Sequence, residues 1–285
     1  METPALGHAR PPVSAQSGRR FWKVCGSGND FIFFDARVTP PGDLERPDVV
    51  DRICARATGV GADGVVFMQT DAAEAFRITY LNRDGSLAEL CGNASLCSAR
   101  VAVELGIVDP AGFRFRTDAG LITARIAGDQ PEVDMEAVAN LRADAGIDRT
   151  ATERRIGFAT VGVPHLVVLV DDVEAIDVER RGRELRQHAS LQSGANVNFV
   201  AHSGGDLWRM RTYERGVERE TLACGTGSVA AAVLLESWGL SGDSTGLQTS
   251  SGRRLDVTLK HSEAGIRPSL RGEGRIVFVG ELFDA

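Results

Sequence analysis

Lysine is scarce in this sequence. Lys23 and Lys260 are its only lysines among 32 lysine and arginine residues. Enzymes that use pyridoxal phosphate hold the cofactor on a lysine. Both lysines lie in or beside predicted strands, with no phosphate-binding loop nearby. We therefore expect any amino-acid chemistry of this protein to proceed without a cofactor.

Surplus positive charge and long apolar runs are also lacking. The net charge of −7 leaves no basic stripe for nucleic acid. No apolar run approaches the roughly 20 residues that a membrane span requires, so we expect neither a nucleic-acid nor a membrane partner. The 285 residues, 43% of them hydrophobic, are enough for two domains with separate cores. Residues 1–19 have no apolar signal segment, and we expect a disordered leader there.

The five cysteines do not form the pattern of a disulfide framework or a metal site. Their number is odd, and the chain has no C-x-x-C motif or histidine pair at zinc spacing. Without an export signal, the reducing cytoplasm is the expected compartment. Cys25, Cys54 and Cys97 are interpreted as small buried apolar residues. A redox pair between Cys91 and Cys224 stays open as an alternative.

One cysteine motif occurs twice, 133 residues apart. Cys91 and Cys224 are each followed by a glycine and an apolar helix pattern, which ends at a second glycine 15 residues after the cysteine. A T-x-x-G segment follows 26 residues after the first cysteine and 25 after the second. Two copies of one unit predict a duplicated domain rather than a solenoid.

Strand patterns outnumber helix patterns in both halves. The predicted strands cover residues 20–24, 30–35, 65–68, 76–82, 113–116, 121–127, 132–135, 156–160, 165–170, 196–200, 207–213, 255–259 and 275–279. Besides the two apolar helices, helices are predicted at 46–58 and 176–188. A G-x-G-x-x-G segment at 59–64 has a helix before it and a strand after it, which is the reverse of a dinucleotide-binding loop.

These patterns predict an α+β fold of two pseudo-symmetric domains. Each domain would be a curled, mostly antiparallel sheet around a central helix, with the active site in the cleft between them. We expect residues 20–135 with 271–285 to form the domain that carries Cys91. Residues 136–270 would form the domain that carries Cys224.

A cysteine at a helix N-terminus meets unpaired backbone N–H groups and a positive helix dipole, which favour the thiolate and lower its pKa. A substrate carboxylate can bind the same N–H groups. If two such sites face each other, one cysteine can remove a proton while the other delivers one to the opposite face. The sequence therefore predicts a two-base racemase or epimerase.

The chain resembles the diaminopimelate epimerase family from residue 21 to its C-terminus. The resemblance rests on Gly28-Asn29-Asp30-Phe31, the 59–64 segment, Asn82-Arg83-Asp84-Gly85-Ser86, Cys91-Gly92-Asn93, Pro164-His165, Asn196-Val197-Asn198-Phe199, Glu214-Arg215-Gly216 and Glu220-Thr221-Leu222-Ala223-Cys224-Gly225-Thr226-Gly227. It implies interconversion of LL- and meso-2,6-diaminopimelate in lysine and cell-wall synthesis, without a cofactor. We expect a small amino-acid substrate and a homodimer.

The resemblance also implies roles for individual residues. Cys91 and Cys224 would be the base and acid, and His165 and Glu214 would tune their pKa values. The residues expected to bind the reacting carboxylate are Gly92, Asn93, Gly225 and Thr226. Those expected to hold the amino groups and the other carboxylate are Asn29, Asn82, Asn196, Glu214 and Arg215.

Three segments depart from the family pattern. Val163 replaces the asparagine of G-N-P-H, Ala94 and Leu96 replace the second glycine and the arginine of C-G-N-G-x-R-C, and one extra residue lies between Gly216 and Cys224. The first change removes an expected polar contact to the distal end of the substrate. A racemase of another amino acid, such as histidine, therefore remains an alternative, as does a thiol redox switch.

Overall fold

The computed structural model describes residues 18–88 and 91–283. Glu89 and Leu90 of the first cysteine motif lie outside the described residues, as does the expected leader up to residue 17. The first strand begins at Arg19, so the leader expected over residues 1–19 extends one residue too far. No helix of the described part is long and apolar enough to cross a membrane.

The fold contains many strands and few helices. The strands of the first half are β1 (Arg19–Gly26), β2 (Asn29–Asp35), β3 (Gly64–Gln69), β4 (Arg77–Asn82), β5 (Phe113–Thr117), β6 (Gly120–Ala127), β7 (Gln130–Asp134) and β8 (Ala139–Arg142). Those of the second half are β9 (Glu153–Val161), β10 (Val163–Val170), β11 (Asn196–Gly204), β12 (Leu207–Glu214), β13 (Arg219–Thr221), β14 (Ser244–Gln248), β15 (Arg254–Ser262), β16 (Gly265–Arg271) and β17 (Arg275–Leu282). The helices are α1 (Pro47–Cys54), α2 (Gly92–Glu104), α3 (Val178–Arg186) and α4 (Gly225–Ser237), with a short 3-10 helix at Gly42–Glu45.

Strand pairing repeats from one half to the other. In the first half β1–β2 is antiparallel, β2–β3 parallel, β3–β4 antiparallel and β4–β5 parallel, and β5, β6 and β7 then pair antiparallel. The second half follows the same sequence of pairings through β9, β10, β11, β12, β14, β15 and β16. The predicted duplication and the α+β class with mostly antiparallel sheet are thereby confirmed.

Each parallel pair is connected by a crossover that contains a helix. The helices α2 and α4 lie between β4 and β5 and between β12 and β14, whereas α1 and α3 connect β2 to β3 and β10 to β11. Residues of α2 and α4 belong to one large apolar cluster. The side chains of α1 and α3 pack in two separate clusters. The two cysteine-led helices are therefore buried on nearly all sides, as their apolar sequences predict.

Three further pairings join strands of the first half to strands of the second, and one of them is the antiparallel pair of β8 and β9. β7 pairs antiparallel with β16, which links the equivalent last strands of the two repeats. After β16 the chain returns to the first half, where β17 pairs antiparallel with β1. Both ends of the described chain therefore lie in the first half.

The helix predicted at 46–58 is too long. The observed α1 ends at Cys54, and Ala55 is extended with φ −61° and ψ 124°. The chain then folds back on the helix, where the N–H groups of Gly61 and Ala62 donate to the carbonyls of Ile53 (3.0 Å) and Cys54 (3.1 Å). Because these bonds satisfy the helix end, the residues after it turn towards β3.

Sequence patterns also missed several short strands. No strand was predicted at β8, β13, β14 or β16, and α3 is shorter at both ends than the predicted 176–188. Glycine, proline or charged residues interrupt the apolar alternation in each missed strand. Their pairing partners are distant in sequence, so local pattern could not identify them.

Candidate active site

Both cysteines of the repeated motif cap a helix, as predicted. Cys91 is the N-cap of α2, and its Sγ accepts a hydrogen bond from the backbone N–H of Ala94 at 3.4 Å. Cys224 is the N-cap of α4, and its Sγ accepts one from Gly227 at 3.3 Å. The sulfur thus occupies the place that a serine or aspartate oxygen takes at an ordinary helix start.

The N-termini of the two helices meet. A Cβ atom added to Gly92 would lie 3.5 Å from the Cα of Gly225 and 2.9 Å from Leu270 Cδ2. A Cβ added to Gly225 would likewise lie 3.0 Å from Leu270 Cδ2. Leu270 of β16 therefore packs against both glycines. The pseudo-symmetry places two sets of free helix N–H groups at one point.

A cavity of about 380 Å³ opens at this point. Its size suits a small-molecule ligand. Eleven of the predicted site residues line it, namely Asn29, Asn82, Cys91, Gly92, Asn93, Asn196, Glu214, Arg215, Cys224, Gly225 and Thr226. Residues from both halves of the chain, far apart in sequence, thus contribute to one site.

The expectation of a low thiol pKa is wrong for this arrangement. Burial raises the pKa of Cys91 to about 11, and the N–H groups of Ala94 and Asn93 offset only part of the rise. Burial raises the pKa of Cys224 to about 12, and the charge of Glu214 adds to it. Without a cation in the cavity, both cysteines are therefore thiols near neutral pH.

Glu214 is the carboxylate whose charge acts on both cysteines. It lies at the end of β12, and burial raises its own pKa, with a further rise from the charge of Asp63. Its neighbour Arg215 has its backbone N–H bound to Asn196 Oδ1 at 2.8 Å. Asn196 is thereby held in place as the first residue of β11.

Asn29 and Asn93 form a direct contact on the other side of the cavity. Asn93 Nδ2 donates to Asn29 Oδ1 at 2.6 Å. Asn82, at the end of β4, donates from its Nδ2 to Ser86 Oγ at 3.0 Å. These three amides arrange the cavity wall that belongs to the first half of the chain.

His165 does not line the cavity. It is completely buried, and its Nδ1 lies 3.2 Å from Asn198 Nδ2. Because the same Nδ2 donates to the carbonyl of Leu166 at 3.0 Å, its amide orientation is fixed and Nδ1 must be the acceptor. Burial, and then the charge of Arg215, lowers the pKa of His165 to about 3. His165 is therefore a neutral imidazole with its proton on Nε2.

One departure from the family pattern lies at the cavity. Val163 lines it, so an apolar residue stands where the family pattern has an asparagine. In the segment between Gly216 and Cys224, which carries the extra residue, Glu218 adopts a positive φ of 58° and its N–H donates to the carbonyl of Glu214 at 2.8 Å.

The sequence analysis missed Tyr80 and Asp63. Tyr80 lines the cavity two residues before Asn82 in β4, and alternation along a strand puts both side chains on one face. That spacing could have identified it. Asp63 was interpreted only as part of the glycine-rich segment, but its Oδ2 accepts a hydrogen bond from Asn29 Nδ2 at 3.2 Å.

The remaining cysteines lie away from the cavity lining. Cys54 and Cys97 are buried in apolar clusters, as predicted, whereas Cys25 is only half-buried. Cys25 Sγ lies 3.9 Å from Glu273 Oε2. Across residues 18–88 and 91–283, no group of three or more histidine, cysteine or acidic side chains is arranged to hold a metal ion.

Comparison with known proteins identifies a family. The family model for diaminopimelate epimerase matches residues 21–140 and 157–273. The chain is 50% identical over 273 residues to the diaminopimelate epimerase of Gemmatimonas aurantiaca, covering 92% of this chain and 98% of that one. It is 40% identical to the diaminopimelate epimerase of Aquifex aeolicus, again over 273 residues, covering 92% and 97%.

Solved structures with low sequence identity share the fold. A phenazine biosynthesis protein of Bacillus anthracis superposes with a TM-score of 0.74 at 14% identity, covering 93% of this chain and 99% of that one. A probable proline racemase of Agrobacterium radiobacter superposes with a TM-score of 0.65 at 19% identity, covering 93% and 92%. At these identities the match concerns architecture alone.

Proposed function

The chain belongs to the diaminopimelate epimerase family, a family of isomerases, and we propose that it interconverts LL- and meso-2,6-diaminopimelate. One cysteine, as thiolate, removes the α-proton, and the other, as thiol, delivers a proton to the opposite face. The observation that carries this proposal is the meeting of two cysteine-capped helices at Gly92 and Gly225. The reaction needs no cofactor.

The reacting carboxylate binds at the two helix N-termini. Gly92 and Asn93 offer backbone N–H groups from α2, and Gly225 and Thr226 offer them from α4. Each N-terminus carries about half a positive charge. Negative charge that develops on the substrate during proton removal is stabilised there. In this way the fold supplies the charge stabilisation that pyridoxal phosphate supplies in other racemases.

Substrate binding also generates the thiolate. Both thiols have a raised pKa in the cavity without a ligand, mainly through burial. The ammonium groups of diaminopimelate bring positive charge next to the sulfurs, which favours the thiolate. Glu214 tunes both thiols through its charge and binds an ammonium group. His165 adds no positive charge near them, since burial keeps its pKa at about 3 and the imidazole neutral.

The second amino-acid end of the substrate is held by Asn29, Asn82, Asn196 and Arg215. Arg215 is the residue suited to bind a carboxylate with two parallel hydrogen bonds. Val163 adds an apolar contact where the family pattern has an asparagine. This one observation favours the second candidate, a cofactor-independent racemase of another amino acid such as histidine, because specificity depends on a few buried polar contacts.

We also propose a setting for the enzyme. The reducing cytoplasm keeps both thiols reduced, and the product serves lysine and peptidoglycan precursor synthesis. A homodimer is supported by the free edge of β17. Among the described residues this strand pairs only with β1, and its residues Val277, Phe278 and Val279 are all exposed. Residues 20–135 with 271–285 and residues 136–270 are proposed as the two domains, supported by the repeated strand pairing.

The test is proton exchange in D₂O. Reduced protein is incubated with LL-diaminopimelate, and deuterium at the α-carbons and the meso product are followed by NMR. Deuterium at one α-carbon together with meso product supports the epimerase. Exchange with histidine but not with diaminopimelate supports the second candidate. Absence of exchange with any amino acid contradicts both and favours a thiol redox role.

A further inference from the structure

A chain of polar contacts leads from the surface to the first helix N-terminus. The Arg56 guanidinium donates to both carboxylate oxygens of Asp30, at 2.7 and 2.8 Å, and to Asp63 Oδ1 at 2.7 Å. The other oxygen, Asp63 Oδ2, accepts from Asn29 Nδ2 and from the backbone N–H of Asp30, both at 3.2 Å. Asp63 therefore has donors on both of its oxygens.

The Asp63 carboxylate fixes which group donates and which accepts in each of these hydrogen bonds. A carboxylate only accepts hydrogen bonds, so Asn29 must turn its NH₂ group towards Asp63. The carbonyl oxygen of Asn29 then faces the opposite way and accepts from Asn93 Nδ2 at 2.6 Å. Because Asn93 uses its NH₂ group in this bond, its amide oxygen is the last atom in this series of hydrogen bonds. One negative charge thus sets the orientation of two amides.

The amide oxygen of Asn93 lies next to Gly225, the first residue of α4. Asn93 is only 1% exposed, and its Oδ1 is buried without a hydrogen-bond partner among the described residues. A Cβ atom added to Gly225 would lie 3.4 Å from this oxygen. An unsatisfied acceptor is therefore held beside the helix N-termini, where a partner would remove the cost of leaving it unpaired.

We propose that Asp63 is a positioning residue that turns the amide oxygen of Asn93 towards α4, so that the site selects a substrate with an ammonium group beside its carboxylate. The inference rests on the proposed function and deepens it. The hydrogen-bond donors of diaminopimelate at neutral pH are its two ammonium groups, because its carboxylates only accept. A flipped Asn93 would offer NH₂ instead and lose this contact.

The test compares Asp63→Asn with the wild-type enzyme. The amide introduced by this substitution would have to turn its own NH₂ towards either Arg56 or Asn29, so the fixed direction is lost. We expect the KM for diaminopimelate to rise by roughly tenfold to a hundredfold, as for a lost hydrogen bond to a charged group. Asp35→Asn is the matched control, because Asp35 also pairs with an arginine, Arg37, but lies outside the cavity lining. Its KM should stay within twofold of the wild-type value.

A ligand without amino groups separates positioning from mere structural support. Pimelate has the same carbon chain and both carboxylates but no ammonium group. Its inhibition constant should change less than twofold in Asp63→Asn. An equal rise in the KM for diaminopimelate and in the inhibition constant for pimelate would show that Asp63 only maintains the structure, and the proposal would be wrong. An unchanged KM for diaminopimelate would also overturn it.

A double variant provides a second measurement. If Asp63 acts through Asn93, then Asp63→Asn combined with Asn93→Ala should lose no more kcat/KM than Asn93→Ala alone. Losses that multiply would mean that Asp63 acts by another route. Wild-type activity is measured first. Its absence contradicts the proposed function, whereas an active wild type with an equally active Asp63→Asn contradicts only the role of Asp63.

Discussion

Gly92 and Gly225 touch through their backbones: a Cβ atom at Gly225 would lie 3.3 Å from the Cα of Gly92. Two helices that start at the same point can direct their N–H groups at one ligand only if neither first residue has a side chain. The repeated Cys-Gly pair is therefore a geometric requirement of the duplicated fold. It brings two sulfurs, one from each half, to the same cavity.

Gly225→Ala should abolish most activity while the protein still folds. The added methyl group would contact Gly92 and Leu270, and the two helices would have to separate. We expect a loss of about 1–3 kcal/mol in the free energy of unfolding and about a hundredfold loss in kcat, measured by urea unfolding and steady-state kinetics. Gly242→Ala is the control, since nothing lies within 4 Å of its added Cβ. Equal effects of both variants would contradict this explanation.

Cys91→Ala and Cys224→Ala should each abolish inversion. Removing one acid or base costs about 10²–10⁴-fold in rate, but the remaining cysteine still reaches one face of the substrate. Each variant should therefore exchange the α-proton of one stereoisomer only, and the two variants should differ in which one. NMR in D₂O measures this exchange. Cys25→Ala, away from the cavity, should retain inversion. Exchange of both stereoisomers by a single variant would exclude the two-base assignment.

Stability should fall on the acid side because of His165. Burial, and then Arg215, lowers the pKa of His165 to about 3, below the value of 6.5 in the unfolded chain. The neutral form stabilises the fold fully above pH 6.5. This contribution is lost as the pH falls from 6.5 towards 3, at about 1.4 kcal/mol per pH unit.

Urea unfolding between pH 7.5 and 4.5 measures this loss. His165→Asn cannot titrate, so its free energy of unfolding should depend less steeply on pH than that of the wild type. The control is His202→Asn, because His202 is exposed. Its slope should equal that of the wild type. A wild-type slope in His165→Asn would show that another group causes the acid dependence.

Tyr80→Phe should reduce activity without reducing stability. The ring packs edge-on against Phe31, with centroids 5.6 Å apart, and phenylalanine preserves that contact. Tyr80 lines the cavity, and its hydroxyl makes no hydrogen bond to the described residues. Burial holds the pKa of Tyr80 well above 10, so the group is a donor available to the substrate. We expect about a tenfold fall in kcat/KM and an unchanged melting temperature. A lower melting temperature with an unchanged kcat/KM would show that the hydroxyl stabilises the core instead of binding the substrate.

Much of the site could be predicted because the chemistry lies in short, repeated motifs. Cys91 and Cys224 precede apolar helices in the sequence, and helix capping is a local property. The duplication followed from equal spacings after each cysteine, and the repeated strand pairing confirms it. Family motifs then placed Asn196 and Glu214 at the cavity, although these residues lie far from Cys91 in the chain.

Other features could not be predicted because they depend on contacts between distant segments. The thiol pKa is one example: helix N–H groups are visible in the sequence, but the burial that outweighs them requires both halves of the chain. Strands β14 and β16 are recognised only through their partners. The direction in which the amide oxygen of Asn93 points depends on Asp63, which is 30 residues away in sequence.

The sequence by itself determined the pair of cysteine-capped helices, the duplicated α+β class and the family, since each is written in local patterns and in motifs at fixed spacing. Tertiary structure alone decided that the two helices meet at Gly92 and Gly225, that the thiols are protonated without a ligand, and that His165 is a neutral imidazole outside the cavity. The physical reason is that burial and hydrogen-bond direction are properties of what surrounds a group. Those surroundings come from parts of the chain that only folding brings together.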